Sequence, residues 1–296
     1  MNQKHQFDLT PFEINKKQKI SLKDFDPNYT EQLKGKKHSE KTLAEDIKNL
    51  ANSQELLWAS KQNSLLLVFQ AMDAAGKDGT IKHVMSGINP QGCDVFSFKQ
   101  PNEEERLHHF LWRPQQYLPP RGKIAIFNRS YYEEVLVVKV HPEILTKEWI
   151  PARYKNEPLE SLWQSRYNEI NEFEERVTKN GVSVIKFFLN LSKDEQKRRF
   201  LKRLNSPERQ WKFSVSDLKE RNYWDEYQSA FEEMLSNTST EHAPWYVIPA
   251  DNKWFMRALV ADIITNRIEK LDLKFPTVSK EQKEKLLQIK TQIENE

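Results

Sequence analysis

Five short apolar runs punctuate a chain otherwise crowded with charge. The first, Leu65-Leu66-Leu67-Val68-Phe69, follows Ser64, has no interruption and is bounded by polar residues, the pattern of a strand buried on both faces of a parallel sheet. Cys93 to Phe98 alternates well enough for a second strand, and Lys123 to Phe127, Val182 to Leu191 and Trp245 to Pro249 supply three more. Helical spacing fills the gaps. Leu43, Ile47, Leu50, Leu56, Leu57 and Trp58 predict a helix over 39–61, broken near Asn52-Ser53; Ile81, Val84, Met85 and Ile88 predict one after the first strand. Short helices are expected over 103–113 and from Glu133, and longer ones over 157–180, from a cap at Ser192, over 222–235 and over 254–271. The longest carries the stripe Leu159, Leu162, Trp163, Tyr167, Ile170, Phe173 and Val177, a core-facing side to which no chemistry is assigned. Strands alternating with helices predict an α/β fold: a five-stranded parallel sheet flanked by helices.

A single domain over 1–296 accommodates these elements. Residues 1–38 are polar, with a turn at Asp26-Pro27-Asn28, and read as an extended arm over that domain. The tail beyond Lys280 is charged with a helical pattern, suited to contacts in a homo-oligomer. No apolar run approaches membrane-spanning length, and Met1 to His5 lacks the apolar core of a signal peptide, so no membrane partner is expected. Cys93 is the sole cysteine, which rules out an internal disulfide and suits a cytoplasmic location.

The candidate chemistry gathers after the first strand, in Gln70-Ala71-Met72-Asp73-Ala74-Ala75-Gly76-Lys77-Asp78-Gly79-Thr80. Strand, small-residue loop and helix make the phosphate-binding unit of P-loop proteins, whose inward N–H groups and helix N-terminus favour anions. The match to G-x-x-x-x-G-K-[ST] is partial: Ala71 replaces the first glycine and Asp78 the hydroxyl residue. Two carboxylates, Asp73 and Asp78, therefore flank Lys77, and magnesium takes one or two such ligands beside water and phosphate oxygens. The third strand ends at Asn128-Arg129, where a Walker B Asp ordinarily orders Mg²⁺. An amide there could accept from a metal-bound water, and the Arg129 fork suits phosphate oxygens; taken alone, the pair equally fits a strand end with a solvated arginine. From Lys186 to Arg221 eleven basic residues face five acidic ones, and residues 193–222 read as a helical lid of the kind that closes over a transferring phosphoryl group in nucleoside-phosphate kinases.

Met72 to Gly79, Phe127 to Tyr132, Trp211-Lys212-Phe213-Ser214 and Ala243-Pro244-Trp245-Tyr246, in this order, resemble the family-2 polyphosphate kinases, and the resemblance runs from about Ser21 to Lys270. It implies a thymidylate-kinase-like P-loop fold with a lid, and phosphoryl transfer between inorganic polyphosphate and nucleotides with Mg²⁺ or Mn²⁺. Asn128 to Leu136 is most similar to the members that phosphorylate both AMP and ADP, giving ADP and ATP. Many other members have Asp at the place of Asn128, which leaves direct metal binding there open. Many have asparagine at the place of Glu133, the feature expected to bear on AMP against ADP.

Under this resemblance Asp73, Lys77 and Arg129 are the catalytic candidates, with Asp73 on the metal and Asn128 reaching it through water. Ala74, Ala75, Gly76, Asp78, Gly79, Asn128, Glu133, Arg113 and Arg121 are candidates for nucleotide and phosphate binding. Arg199, Arg203, Arg209 and Lys212 are candidates for the polyphosphate path and lid. The acceptor phosphate is already anionic, so His83, His108 and His109 are read as helix-face residues. The alternative is an ATP-dependent nucleoside monophosphate kinase on the same fold; weaker still are a polyphosphate-binding module or P-loop switch without turnover, and a nucleic-acid binder, so no nucleic-acid partner is expected.

Overall fold

The apolar runs assemble into one sheet. The computed structural model describes residues 7–14, 18–147, 150–151, 154 and 157–296, and the backbone alone of Lys147 and Lys212. The stretch Met1 to His5 and part of the arm, 15–17, lie outside the described residues. The strands are β1 (Glu13–Ile14), β2 (Ser64–Gln70), β3 (Cys93–Ser97), β4 (Ile124–Asn128), β5 (Val182–Asn190) and β6 (Trp245–Pro249), in the order β1-β6-β5-β2-β4-β3. The five long strands are parallel, as the pattern predicts. The sixth is a correction: β1, only two residues, pairs antiparallel with β6, Glu13 opposite Tyr246. The helices are α1 (Lys36–Ser60), α2 (Lys77–Val84), α3 (Glu103–Leu107), α4 (Trp112–Gln115), α5 (Val137–Val140), α6 (Leu159–Lys179), α7 (Lys193–Leu204), α8 (Val215–Asn222), α9 (Trp224–Thr238), α10 (Lys253–Glu269) and α11 (Lys280–Glu294). No helix among the described residues is long and apolar enough to cross a membrane.

Side-chain alternation on β2 divides the core. Leu66 and Val68 join a cluster with Tyr167, Ile170 and Phe173 of α6 and Phe231 of α9; Leu65, Leu67 and Phe69 join one with Leu50 and Leu57 of α1 and Leu259 and Ile263 of α10. Helices thus cover both faces of the sheet. Three helix expectations are corrected. The helix begins at Lys36, so the arm stops at Gly35, and α1 runs unbroken through Asn52-Ser53: Leu50, Ser53, Gln54 and Leu57 are its buried face, so packing overrides the weak helix preference of those two residues. The stretch 103–113 divides into α3 and α4, because Pro114 lacks an N–H and fits only the first turn of a helix. Residues 215–222 are helical too, started by Ser214, whose side chain accepts from Ser216 N–H.

One buried network fixes the turn after β4. Glu174 of α6 and Lys186 of β5 are both fully buried and pair at 2.6 Å. The other Glu174 oxygen accepts from the hydroxyls of Tyr131 (2.8 Å) and Tyr132 (2.7 Å), while Lys186 also donates to Tyr132 Oη at 2.9 Å and to the Thr238 carbonyl at 2.7 Å. The turn Arg129-Ser130-Tyr131-Tyr132 is thereby tied to α6, β5 and the end of α9. A buried charge is tolerable only with partners of this quality.

A second buried acid lies on the opposite layer. Asp46 of α1 packs near Asp262 of α10; burial first, then the Asp262 charge, push its carboxyl from 3.8 up to about 8. Between those two values the unfolded chain has released a proton that the fold retains, so stability from this group falls as pH rises through the window and is level above it. Asp46→Asn is therefore expected to match the parent near pH 4 and to gain in Tm by a margin that grows toward pH 8; a margin independent of pH would contradict the assignment. Glu174→Gln leaves the Lys186 ammonium without its counter-charge and should cost about 3–5 kcal/mol, read from the shift in urea unfolding.

Candidate active site

The parallel strands end together, and the loops at their carboxyl ends build the site. After β2 the chain turns through positive φ at Ala74 (62°) and Gly76 (103°), conformations eased by a minimal side chain and by none at all. These turns bring successive N–H groups to the start of α2. Behind them, Thr80 is fully buried, its hydroxyl donating to the Gly76 carbonyl at 3.0 Å.

Charged side chains alternate in sign around this loop. Lys77 Nζ donates back to the Ala71 carbonyl at 2.9 Å. Burial lowers its pKa and Arg129 adds to this, against Asp73, Glu133 and Asp78, which favour the ammonium. Arg129, itself at φ 63°, donates to Asp73 Oδ1 at 3.1 Å. Burial works against its charge, yet Glu133 and Asp73 outweigh it and hold the guanidinium above its ordinary value. Asn128 Nδ2 donates to Asp78 Oδ1 at 2.7 Å, bridging β4 and α2. Glu133 sits deeper; burial raises its carboxyl, opposed by Arg129 and Lys77. The Gln70 amide donates to Glu133 Oε1 at 2.9 Å when turned to satisfy both of its ends.

The structure thus brings together Asp73, Lys77, Asp78, Asn128, Arg129 and Glu133, with Ala74, Ala75, Gly76 and Gly79 as the loop and first helical turn. The other candidates lie elsewhere. Arg199 is buried behind the loop: Nη1 donates to the carbonyls of Ala74 (3.1 Å) and Ala75 (2.6 Å), Nη2 to those of Ala250 (2.5 Å) and Asp251 (3.1 Å), and Nε to Glu195 at 2.7 Å. Its donors are spent on protein groups, which takes it off the path where the sequence reading put it. Arg203 holds Asp217 at 3.2 Å, and Arg209 is exposed beside Glu208 at 3.5 Å. The Lys212 side chain lies outside the described residues. Arg113 lies against the Phe98 ring and donates to Glu105 at 3.1 Å and to the Lys99 carbonyl. It lines a cavity of about 380 Å³ with Phe98, Phe110, Tyr131, Glu134 and Arg166, next to the Arg129 turn. Arg121 is a correction: it precedes β4, at the amino end of the sheet, a strand length of roughly 17 Å from the loop.

Residues that the sequence reading missed join the site from the lid side. Gln196 Nε2 donates to the Asp73 carbonyl at 3.0 Å, and Arg221 of α8 holds Gln196 Oε1 at 2.7 Å. Asp217 feels Asp73 and Arg129; burial, then Asp73, raise its carboxyl. Tyr227 is raised by burial and by its 2.6 Å bond to Glu220. The spacing of Gln196 and Arg199, one helical turn apart on α7, was the only signal in the sequence, and it was masked by the surrounding charge.

Metal chemistry is tested by the donor set. Asp73 and Asp78 are two hard carboxylates at an anion-binding loop, and magnesium, which draws the rest of its shell from water and phosphate oxygens, fits them. Among the described residues no group of three or more His, Cys, Asp or Glu side chains is placed to hold a metal ion by itself, so a metal here would depend on substrate oxygens.

The comparisons with known proteins agree with this geometry. The family model described as Polyphosphate kinase 2 (PPK2) matches residues 33–276. The ADP-polyphosphate phosphotransferase of Rhodopseudomonas palustris is 47% identical over 282 residues, 95% of this chain and 97% of that protein. The AMP/ADP-polyphosphate phosphotransferase of Meiothermus ruber is 44% identical, covering 87% of this chain and 92% of its own. The crystal structure of polyphosphate kinase 2 from Arthrobacter aurescens superposes with a TM-score of 0.80 at 40% identity, over 88% of this chain and 89% of that one. A loop with two aspartates around its lysine, a strand ending in Asn128-Arg129 and a match across most of its length place the chain in the polyphosphate kinase 2 family.

Proposed function

We propose that the protein transfers a phosphoryl group from inorganic polyphosphate to AMP and to ADP, giving ADP and ATP. The observation that carries this reading is the convergence of Lys77, Arg129, Asp73 and Glu133 at the mouth of a loop built to hold anions. Support comes from the names of the relatives, which act on ADP or on AMP and ADP with polyphosphate.

An acceptor phosphate oxygen attacks the terminal phosphorus of the polymer. The bond from that phosphorus to its bridging oxygen breaks, and the shortened polyphosphate leaves with the electron pair. Positioning and charge stabilisation do most of the work in such a transfer. The loop amides and Lys77 bind phosphate oxygens, and Arg129 swings from Asp73 onto the transferring group. Asp73 and Asp78, with Asn128 through a water, would hold Mg²⁺ or Mn²⁺, which supplies charge neutralisation on the phosphates. No side-chain base is needed. The histidines are engaged elsewhere: His108 stacks on Trp112, His109 meets Glu169 at 2.6 Å, and His83 faces the Gly79 carbonyl. The cavity beside Arg113 takes the nucleoside, with Phe98 and Phe110 offering rings for a base.

A cytoplasmic setting is supported by the lone Cys93, whose thiol burial pushes up to about 11 and so quiets. A homo-oligomer is supported by α11, which exposes Leu286, Leu287, Ile289 and Ile293.

Purified protein given AMP and polyphosphate with magnesium, and no ATP, should form ADP and then ATP; formation of neither would overturn the reading. Lys77→Ala and Asp73→Asn should each lower kcat by about 10³-fold or more without loss of secondary structure by circular dichroism. Glu133→Asn should change the ratio of kcat/KM for AMP to that for ADP, and an unaltered ratio would remove Glu133 from acceptor choice.

A further inference from the structure

The turn Asp26-Pro27-Asn28 lies on the arm, outside the transfer centre, and docks at the carboxyl ends of β5 and β6. Before it, the N–H groups of Ile20 and Leu22 donate to Ser236 Oγ (2.9 Å) and Glu232 Oε1 (2.7 Å) of α9. After it, Tyr29 meets Phe255 in the first turn of α10 edge-on, ring centroids 5.9 Å apart. Ile20 and Leu22 belong to the core cluster on the α9 side, and Leu33 to the one on the α10 side, so the arm crosses the sheet end as a strap.

Three bonds tie the strap down where it crosses. Asn190, the last residue of β5 and buried, donates Nδ2 to the Phe25 carbonyl at 2.9 Å. The Asp251 N–H donates to the Pro27 carbonyl at 3.0 Å. Asn252 Nδ2 donates to Asn28 Oδ1 at 2.7 Å. Asp26 Oδ1 closes the turn itself by accepting from the Asn28 N–H at 2.8 Å.

The bond to Pro27 reaches the phosphate loop. The Asp251 N–H and the Ala250 carbonyl belong to one planar peptide unit and point opposite ways. Pro27 holds the first, and Arg199 Nη2 holds the second at 2.5 Å. Arg199 Nη1 carries the constraint on to the carbonyls of Ala74 (3.1 Å) and Ala75 (2.6 Å). The flanking groups are fixed as well. The Ala250 N–H donates to the Asn190 carbonyl at 2.9 Å, and Asp251 Oδ1 accepts from the N–H of Ser192, the cap of the helix that bears Arg199, at 2.9 Å. Turning this peptide would break a bond to a charged donor and leave buried polar groups unpaired, which is costly.

Resting on the polyphosphate reading for its catalytic consequence, we propose that the strap Phe25–Asn28 positions the phosphate loop, with Asn190 and Asp251 as positioning residues that act through Arg199. Loop N–H groups speed transfer only when they are already aimed at the charge that develops. The strap sets that aim from outside the site.

The test reads rate together with loop protection. In Asn190→Ala, kcat for ADP formation should fall about tenfold, short of the roughly 10²-fold that a 1 Å misplacement can cost. KM for AMP should hold, since the cavity at Arg113 lies off this chain of bonds. Hydrogen exchange over 74–80 in the unliganded protein should quicken. Asp26→Ala should act in the same direction more weakly, and Asp26→Asn, which keeps the oxygen that closes the turn, should restore both readouts. Asp26 is exposed, so this pair decides the matter if Asn190→Ala does not fold. Ser236→Ala loosens the strap on its α9 side only and should leave loop exchange and kcat at parent values, whatever its effect on Tm. In the double variant Asn190→Ala, Arg199→Lys the two losses in kcat should fall short of multiplying. Parent-like loop exchange in both Asn190→Ala and Asp26→Ala, or losses that multiply in full, would overturn the proposal. Exchange is read without substrate, so a parent protein that leaves AMP unphosphorylated while the strap variants still quicken the loop would sink the activity and not the strap's hold on the loop.

Discussion

Backbone N–H groups can converge on an anion only if the carbonyls of the same peptides turn the other way, and those carbonyls then need donors. Here Arg199 supplies them. One guanidinium holds the carbonyls of Ala74 and Ala75 in the loop and those of Ala250 and Asp251 after β6, while Nε is steadied by Glu195 one turn earlier on its own helix. Arginine suits this place because its planar fork offers five donors in fixed directions, where lysine offers one point charge. The same residue couples loop geometry to α7. Any movement of that helix must either carry the loop along or break charge-assisted bonds. Gln196 repeats the device at the Asp73 carbonyl.

The far side of the loop is held by a different means. Arg129 adopts a left-handed backbone that costs a residue with a side chain of order 1 kcal/mol. Its N–H is anchored on the Phe69 carbonyl, and the two tyrosines that follow are locked onto buried Glu174. Replacing the Lys186–Glu174 pair by apolar residues could stabilise the protein, as buried ion pairs often allow. What the pair provides is a fixed orientation for the turn that bears Arg129 and Glu133.

The parallel sheet was legible because strands buried on both faces leave nearly unbroken apolar runs, and the loop because small residues and a lysine after such a run have few other uses. Asn128-Arg129 followed from strand-end position. What escaped was whatever depends on contact between distant segments. Two residues, Glu13 and Ile14, carry no periodicity from which to read a strand. Asn52-Ser53 looks like a break until Gln54 is seen packed against Gly92, where a β-carbon would sit 2.0 Å from its Nε2. Arg199 and Arg203 share one basic helix, yet one braces a loop and the other holds an aspartate, a difference set by which face meets the sheet. Arg121, a candidate for the nucleotide side, precedes β4, and direction along a strand decides which end of the sheet a flanking residue reaches.

Charge at the transfer centre points to what is needed to complete it. Asp73, Asp78 and Glu133 face Lys77 and Arg129, so the carboxylates outnumber the cations in the place where two polyanions must meet. Repulsion between unscreened phosphate and carboxylate within a few ångströms is severe in a partly buried cleft. A divalent cation held by Asp73 and Asp78, as proposed, would resolve the conflict: the aspartates would then be ligands and not repulsive neighbours, and Arg129 would be released to the phosphate. A typical P-loop enzyme, with a hydroxyl where Asp78 stands, relies less on such compensation. If that proposal holds, the two aspartates around Lys77 would make the binding of substrate and of metal mutually dependent to a degree that the ordinary loop does not.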